Sequence, residues 1–446
     1  MDDKPELDVL IDKLRADVER ISGQGDPTLE IVARMKLGQA LLEKKEAPAA
    51  LTQFDQALKL VKETGDKETQ ARLFGYQGMA LKMIGNYAMA LQAFRKSNGI
   101  ASSLKHETLL CDSFIQIGVI QAEMGKPADA QADLERALEL ATQNLDGTRR
   151  MRISGLLADN YFLLKEYPRA QEAYRLACEL AGNLGNHTLE CSFLVRQGNV
   201  SLEAGDPRTA VQQYERALDI ASAIEDRNAE INILGGLFRS YAQLQDAPLA
   251  VLYGEKVIEL AAEIQHFEAE ITNLHDLAVF YIEQAQYLQA YACLERGRQA
   301  AGQNRSQDWL MTLALTDGIA HHRAGDTAAA IENYQQALSL AKGTADRRAE
   351  VQVLGYLSTA QAELGLLPES IQSAEHALAL AGELGDPALC AEQQMLLAFN
   401  YRDQRQEARA AASCRAAIES YQKCGDLEAA GKAQALLHDL QAGPGR

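Results

Sequence analysis

The chain holds a single tryptophan, and aromatic side chains make up 6% of its residues. Ten prolines and seven cysteines are spread over 446 residues. No two cysteines (Cys111, Cys178, Cys191, Cys293, Cys390, Cys414, Cys424) form a CxxC pair. An odd, scattered set excludes the dense, even disulfide framework of a small secreted domain. Reduced thiols packed as small hydrophobes are expected, with a reactive or redox-sensing thiol as the alternative. No stretch approaches the roughly 18–20 uninterrupted apolar residues that span a bilayer. The opening MDDKPELDVLIDKL has no basic region followed by an apolar run, so it does not read as a signal peptide. The expectation is a soluble, cytoplasmic protein, in which the N-x-S/T sequons at Asn186, Asn199 and Asn304 carry no meaning.

Positive charge is also in deficit: 44 Lys and Arg stand against 62 Asp and Glu, for a formal net charge of −18. Such a balance argues against nonspecific nucleic-acid binding and against docking on an anionic membrane. P-loop, GxSxG, HExxH, Rossmann-glycine and EF-hand patterns are all missing. His321 and His322 are adjacent, so on a helix they point about 100° apart and do not share a metal. His275-Asp276 invites a general-base reading, but neighbours on a helix are not expected to face each other. Neither catalysis, nor a metal, nor a cofactor is expected.

What the chain does have is a repeat. Steps of 40 from Ala50 read Ala90, Ala130, Ala170, Ala210, Ala250, Ala290, Ala330, Ser370 and Ala410. Seven residues later the same ruler reads Ala57, Ser97, Ala137, Ala177, Ala217, Val257, Gly297, Ala337, Ala377 and Ala417. Twelve residues before the first series lie Gly38, Gly78, Gly118, Ala158, Gly198, Phe238, Ala278, Gly318, Ser358 and Ala398. Small residues at fixed phase let helices approach, and a large residue four beyond the alanine fills the gap: Phe54, Phe94, Leu134, Tyr174, Tyr214, Leu294, Tyr334. Each repeat is predicted to be two amphipathic helices.

Turn chemistry marks the boundaries. Gly85-Asn86, Gly125-Lys126-Pro127, Gly205-Asp206-Pro207 and Gly325-Asp326 fall within repeats, and Pro48, Pro168, Pro248 and Pro368 lie near the start of the second helix. Between repeats, Asp26, Asp66, Asp146, Asn186, Asp226, Ser306, Asp346, Asp386 and Asp426 are placed to cap the first helix, with His106 and His266 breaking the series. Gly25, Gly65, Gly185, Gly385 and Gly425 precede the cap, as a helix stop requires. At one end, residues 5–22 are predicted to form a helix with Leu7, Leu10, Ile11, Leu14, Val18 and Ile21 on one stripe. At the other, residues 427–441 are predicted to turn Leu427, Ala430, Ala433, Leu436 and Leu437 back onto the array, ahead of a frayed AGPGR tail. The reading is an all-α solenoid: a capping helix within 1–26, ten tandem repeats over 27–425, and a capping helix and tail over 426–446. With both caps inside it, the chain reads as complete.

The small–small–large spacing of Gly38, Ala50, Phe54 and Ala57, echoed along nearly the whole chain, resembles the tetratricopeptide repeat. Classical units run 34 residues, so each repeat here is longer. This variety resembles the repeats of kinesin light chains, of the Leu-Gly-Asn-repeat spindle-orientation adaptors and of bacterial regulators. The resemblance implies a right-handed superhelix whose concave groove is lined by first helices, at the phases of Val32, Met35, Lys36, Gln39, Leu42 and Glu43. Early repeats then present Met35, Met79, Met83, Ile115 and Val119, either an adaptable apolar surface or an overlap with the core. Middle repeats present Arg152, Asp159, Arg196, Asn199, Asn232, Arg239, His275 and Asp276. This wall reads either as charges pairing among themselves in a solvated groove or as a site for a carboxylate and the amides of an extended peptide. Gly75, Gly155, Gly235 and Gly355 share a groove-facing phase that suits close ligand approach and tight packing equally. Among the spindle-orientation adaptors an asparagine after the helix glycine clamps the peptide, and only Gln197-Gly198-Asn199 matches, so one local site in the middle is favoured over a ladder.

These observations imply a non-catalytic adaptor holding an extended, partly acidic segment of another protein. The alternatives are a regulatory sensor that changes superhelical pitch on binding a signalling peptide and a self-assembling structural protein. Polar caps favour a monomer, with oligomers left open.

Overall fold

The structure, a computed structural model, describes residues 4–442. These residues form twenty-two α-helices, and no strand occurs among them. The first is α1 (Lys4–Ser22) and the last α22 (Leu427–Ala442). Between them, each repeat is a hairpin such as α2 (Pro27–Glu43) with α3 (Ala47–Thr64), or α4 (Lys67–Met83) with α5 (Tyr87–Leu104). The expected tail beyond Ala442 lies outside the described residues. No helix among those described is long and apolar enough to cross a membrane.

A three-residue turn every 20 residues generates the whole pattern. Leu145 N donates to Thr142 O at 3.1 Å and Asp146 N to Ala141 O at 3.0 Å, the paired bonds of a Schellman stop. The Asp146 carboxylate then accepts from Arg149 N at 2.9 Å, opening the next helix. One residue thus closes a helix with its amide and starts another with its side chain. The residue before it must be left-handed, and positive φ recurs from Gly25 to Gly425 in steps of 20. Glycine supplies it in ten turns, while Lys45, Leu145, Gln265 and others hold φ of 54–65° in a region that L-residues enter at a cost of about 1 kcal/mol.

Most expected caps form, and three differ. His106 and His266 do not break the series: their Nδ1 atoms accept from Leu109 N at 3.3 Å and Ala269 N at 3.2 Å. Ser306, by contrast, makes no side-chain capping bond. An unprotonated imidazole nitrogen has the reach and lone pair of a capping oxygen, which a residue-type preference does not convey.

The 40-residue ruler is buried. Ala50 and its echoes through Ala330, Ser370 and Ala410 are fully covered. The glycine series explains the large residues opposite it. A Cβ on Gly78 would meet the Phe94 ring at 2.7 Å, and one on Gly118 would meet Leu134 at 2.6 Å. Tyr214, on α11 (Pro207–Ala223), is held from two sides, because Cβ atoms on Gly198 of α10 (His187–Glu203) and Gly236 of α12 (Arg227–Gln243) would stand 2.7 and 2.6 Å from its ring. At the ends, Ile11 and Val18 are buried and Leu7, Leu14 and Ile21 pack against the same core. Leu10 and Leu427, expected on the inward stripes, are instead 45% and 75% exposed. Leu10 falls off the 7-11-14-18-21 spacing, and Leu427 is the first residue of its helix. Five of the seven thiols are buried, Cys390 is half-buried and Cys424 exposed.

Contacts group the chain into two compact bodies, Met1–Leu244 and Gln245–Arg446. The boundary falls inside the sixth repeat, between α12 and α13 (Ala247–Glu263). Each body is a stack of helical hairpins in sequence order.

Two predictions follow from packing and capping. Gly198→Ala forces the Tyr214 ring to move and lowers stability by about 1–3 kcal/mol. Gly99→Ala, mid-helix with nothing within 4 Å, raises it by about 0.5–1 kcal/mol. Urea unfolding of the two variants checks the opposite signs. Asp66 and Asp206 are held below the usual aspartate range by bonds from the hydroxyls and amides of Thr69 and Thr209, and Asp146 by the amide and then the guanidinium of Arg149. A lowered native pKa stabilises the fold above the unfolded value of about 3.9, and the contribution is lost as pH falls through the native value. Replacing all three with Asn, which caps without titrating, flattens the pH dependence of stability below about pH 4; an unchanged slope contradicts this account.

Candidate functional site

The first body contains a cavity of about 450 Å³ on its first-helix face. From α4 come Arg72, Gly75, Tyr76 and Met79, spaced so that one side of the helix lines the space. From α6 (Glu107–Glu123) come Leu109, Asp112, Ile115 and Gln116, and from α8 (Gly147–Leu163) comes Arg152. Phe94 and Ser97 of α5 form the floor. Gly75 keeps the space open, since the nearest atom to an added Cβ is Ser97 Oγ at 3.9 Å. That hydroxyl donates to Ala71 O at 2.8 Å and accepts from Ser113 at 3.2 Å, so the floor has no idle polar group there.

The charges of this cavity are unevenly matched. Arg149 holds Asp112 through two bonds, of 2.9 and 3.2 Å, and also reaches Asp146 at 2.5 Å. Those carboxylates raise the guanidinium pKa further. Arg72 pairs with Glu68 at 2.6 Å, where both side chains are half exposed. Arg152 is exposed and has no hydrogen bond or ion pair among the described residues. An unspent guanidinium therefore stands over an apolar wall of Met79 and Ile115.

The predicted residues are distributed as follows. Met79 lines the cavity, and Ile115, only 2% exposed, contributes its wall from within the core. Met35 packs partly buried against the core, Val119 is half-buried, and Met83 is exposed outside the cavity. Asp159 takes the Arg196 guanidinium at 2.5 Å and also accepts from the Tyr174 hydroxyl. Burial and then that carboxylate push the Tyr174 pKa up. Asn199 accepts from Tyr214 OH at 2.6 Å, and burial raises that phenol to about 12. Asn232 is exposed on α12, where Arg239 turns back to Gly235 O at 3.4 Å. Of the groove glycines, Gly155 is a packing residue, since its Cβ would meet Phe193 at 2.6 Å.

His275 belongs to the second body, on α14 (Phe267–Glu283). Contrary to the expectation for helical neighbours, its Nδ1 lies 3.3 Å from the Asp276 carboxylate. Two flexible side chains can bend toward each other although their Cβ atoms diverge. His321 stacks on Tyr291 at 4.5 Å, while His322 reaches Glu363 at 2.6 Å.

Arg72 and Asp112 were legible but unread: they stand one and two steps of 40 beyond Val32, on the phase that gives Arg152. A further cavity near Arg175 and Arg216 is lined largely by charged side chains, with Arg175 already held by Glu172 at 2.6 Å and by Glu179.

A family profile described as tetratricopeptide repeat matches residues 109–183, and one described as the Rapsyn N-terminal myristoylation and linker region matches residues 314–388. Human outer dynein arm-docking complex subunit 4 is 26% identical over 164 residues, 36% of this chain and 24% of that protein. The 43 kDa receptor-associated protein of the synapse from Tetronarce californica is 21% identical over 285 residues, 63% of this chain and 69% of that protein. The chain thus spans about a quarter of the length of the dynein-docking relative. A signal-transduction ATPase with a tetratricopeptide repeat sensor from Pyrococcus horikoshii superposes with a TM-score of 0.51 at 13% identity, over 86% of this chain and 57% of that one. These matches bear out the tetratricopeptide resemblance, and the fold is a helical solenoid of that type.

The Asp159–Arg196 pair is half exposed, so a double-mutant cycle to alanine should return a coupling of about 0.2–1 kcal/mol that weakens with salt. A coupling of several kcal/mol contradicts the solvent-screened geometry.

Proposed function

We propose that the chain is a non-catalytic adaptor whose first body holds an extended, partly acidic segment of another protein on its first-helix face. The carrying observation is the cavity in which Arg152, free of any partner among the described residues, overhangs Met79 and Ile115. An aliphatic side chain of the ligand fills the space left by Gly75, and a neighbouring carboxylate meets Arg152. Gln116 supplies an amide able to bond the ligand backbone, and Asn232 and Arg239, exposed on α12, extend the same face. Arg196 contributes less, because its charge is answered by Asp159. The relatives support this reading through their names, one a docking-complex subunit and the other a receptor-associated protein.

Panning a phage-displayed random peptide library on the full chain tests it. Peptides pairing an aliphatic residue with Asp or Glu should be enriched. Arg152→Glu should weaken them roughly 10- to 100-fold, the worth of a charge-assisted hydrogen bond, with helicity and melting unchanged. Acid-bearing peptides that bind the variant as well as the parent would remove Arg152 from the site.

A further inference from the structure

The second body has its own first-helix cavity, of about 380 Å³, at the same phase of the repeat as the first. His275 and Leu315 stand where the first body has Gly75 and Ile115, and Val279 and Ile319 stand where it has Met79. The chemistry differs. The phase that supplies Arg72, Asp112 and Arg152 reads Thr272, Thr312 and Gln352 here, the last two lining the space.

The polar groups of this cavity satisfy one another. The Thr316 hydroxyl, on α16 (Gln307–Arg323), donates to Thr312 O at 2.9 Å, so its oxygen is left to accept from His275 Nε2 at 3.1 Å. The imidazole is pinned between α14 and α16, with Asp276 beside its other nitrogen and Trp309 tilted against the ring at 5.8 Å. Toward the open space this leaves Val279, Met311, Leu315 and Ile319, with Ile282 beneath them. At the edge Glu283 and Arg323, one repeat apart at the same phase, cancel in charge. A carboxylate entering here loses its water without a net positive field to receive it, whereas an aliphatic side chain covers an apolar wall.

We infer that the second body carries a separate docking site whose occupant is an extended segment of another protein presenting an aliphatic side chain between uncharged residues. Charge matching separates it from the first site: both share the scaffold and its phase, and the residues at one phase decide which ligand each accepts. The inference stands independently of the reading of the first body.

The test uses the full-length Arg152→Glu variant, which silences the first site, panned against a random peptide library. Aliphatic peptides lacking Asp and Glu should be enriched, and Leu315→Gln should weaken them about tenfold or more. Gln352 is exposed, so Gln352→Arg tests selectivity without burdening the fold: it restores the cation found at Arg152, and the selected peptides should then acquire a carboxylate. Loss of all peptides with Arg152→Glu alone would confine binding to the first body and overturn the inference, while leaving the adaptor reading intact. Identical peptides from the parent cavity and from Gln352→Arg would also overturn it.

Discussion

The Schellman stop fused to a capped start is the constraint on which the rest of this molecule depends. Asp146 shows it most plainly, with an amide bonded to Ala141 O and a carboxylate bonded to Arg149 N. Because one residue serves both helices, the linker cannot lengthen without losing one of the two bonds. Helix and turn together then occupy 20 residues, and a hairpin occupies 40. The left-handed residue is obligatory enough that Leu145, 85% exposed, is held at φ 54° in a place where glycine would relax more easily.

Constant phase lets packing repeat without repeating the sequence. A missing Cβ at Gly78 or Gly198 opposes a ring from Phe94 or Tyr214, and at Gly118 it opposes Leu134. Such pairs conserve volume between helices, and whichever large side chain is present can use the space. Where the small series lapses, as at Phe238, the helix still fits because Gly236 takes over against Tyr214.

The same periodicity separates scaffold from chemistry. The residues at the phases of Arg72 and Gly75 face the open side in both bodies, and they are free to vary since neither turn nor core depends on them. In the first body they yield a cation over an apolar wall; in the second they yield a neutral aliphatic hollow with a pinned imidazole. A repeat protein can thus hold distinct recognition surfaces on one backbone rule, which is how the proposed adaptor would distinguish its ligands.

The sequence by itself determined the helices and their ends, including α1 and α22, since caps, left-handed stops and buried small residues act within a few positions of one another. It also determined which phases face outward. Only the tertiary structure decided which outward groups remain available. Arg196 meets Asp159 from 37 residues away, Arg149 takes Asp112 from the same separation, and Arg152 is left without a partner beside them. These outcomes rest on the rotamers of long side chains on neighbouring helices, which phase alone does not specify. The division at Leu244 was likewise invisible, because the 40-residue ruler runs through it unbroken while the contacts do not. Local hydrogen bonding repeats with the sequence, whereas side-chain pairing and compactness depend on what each repeat meets in space.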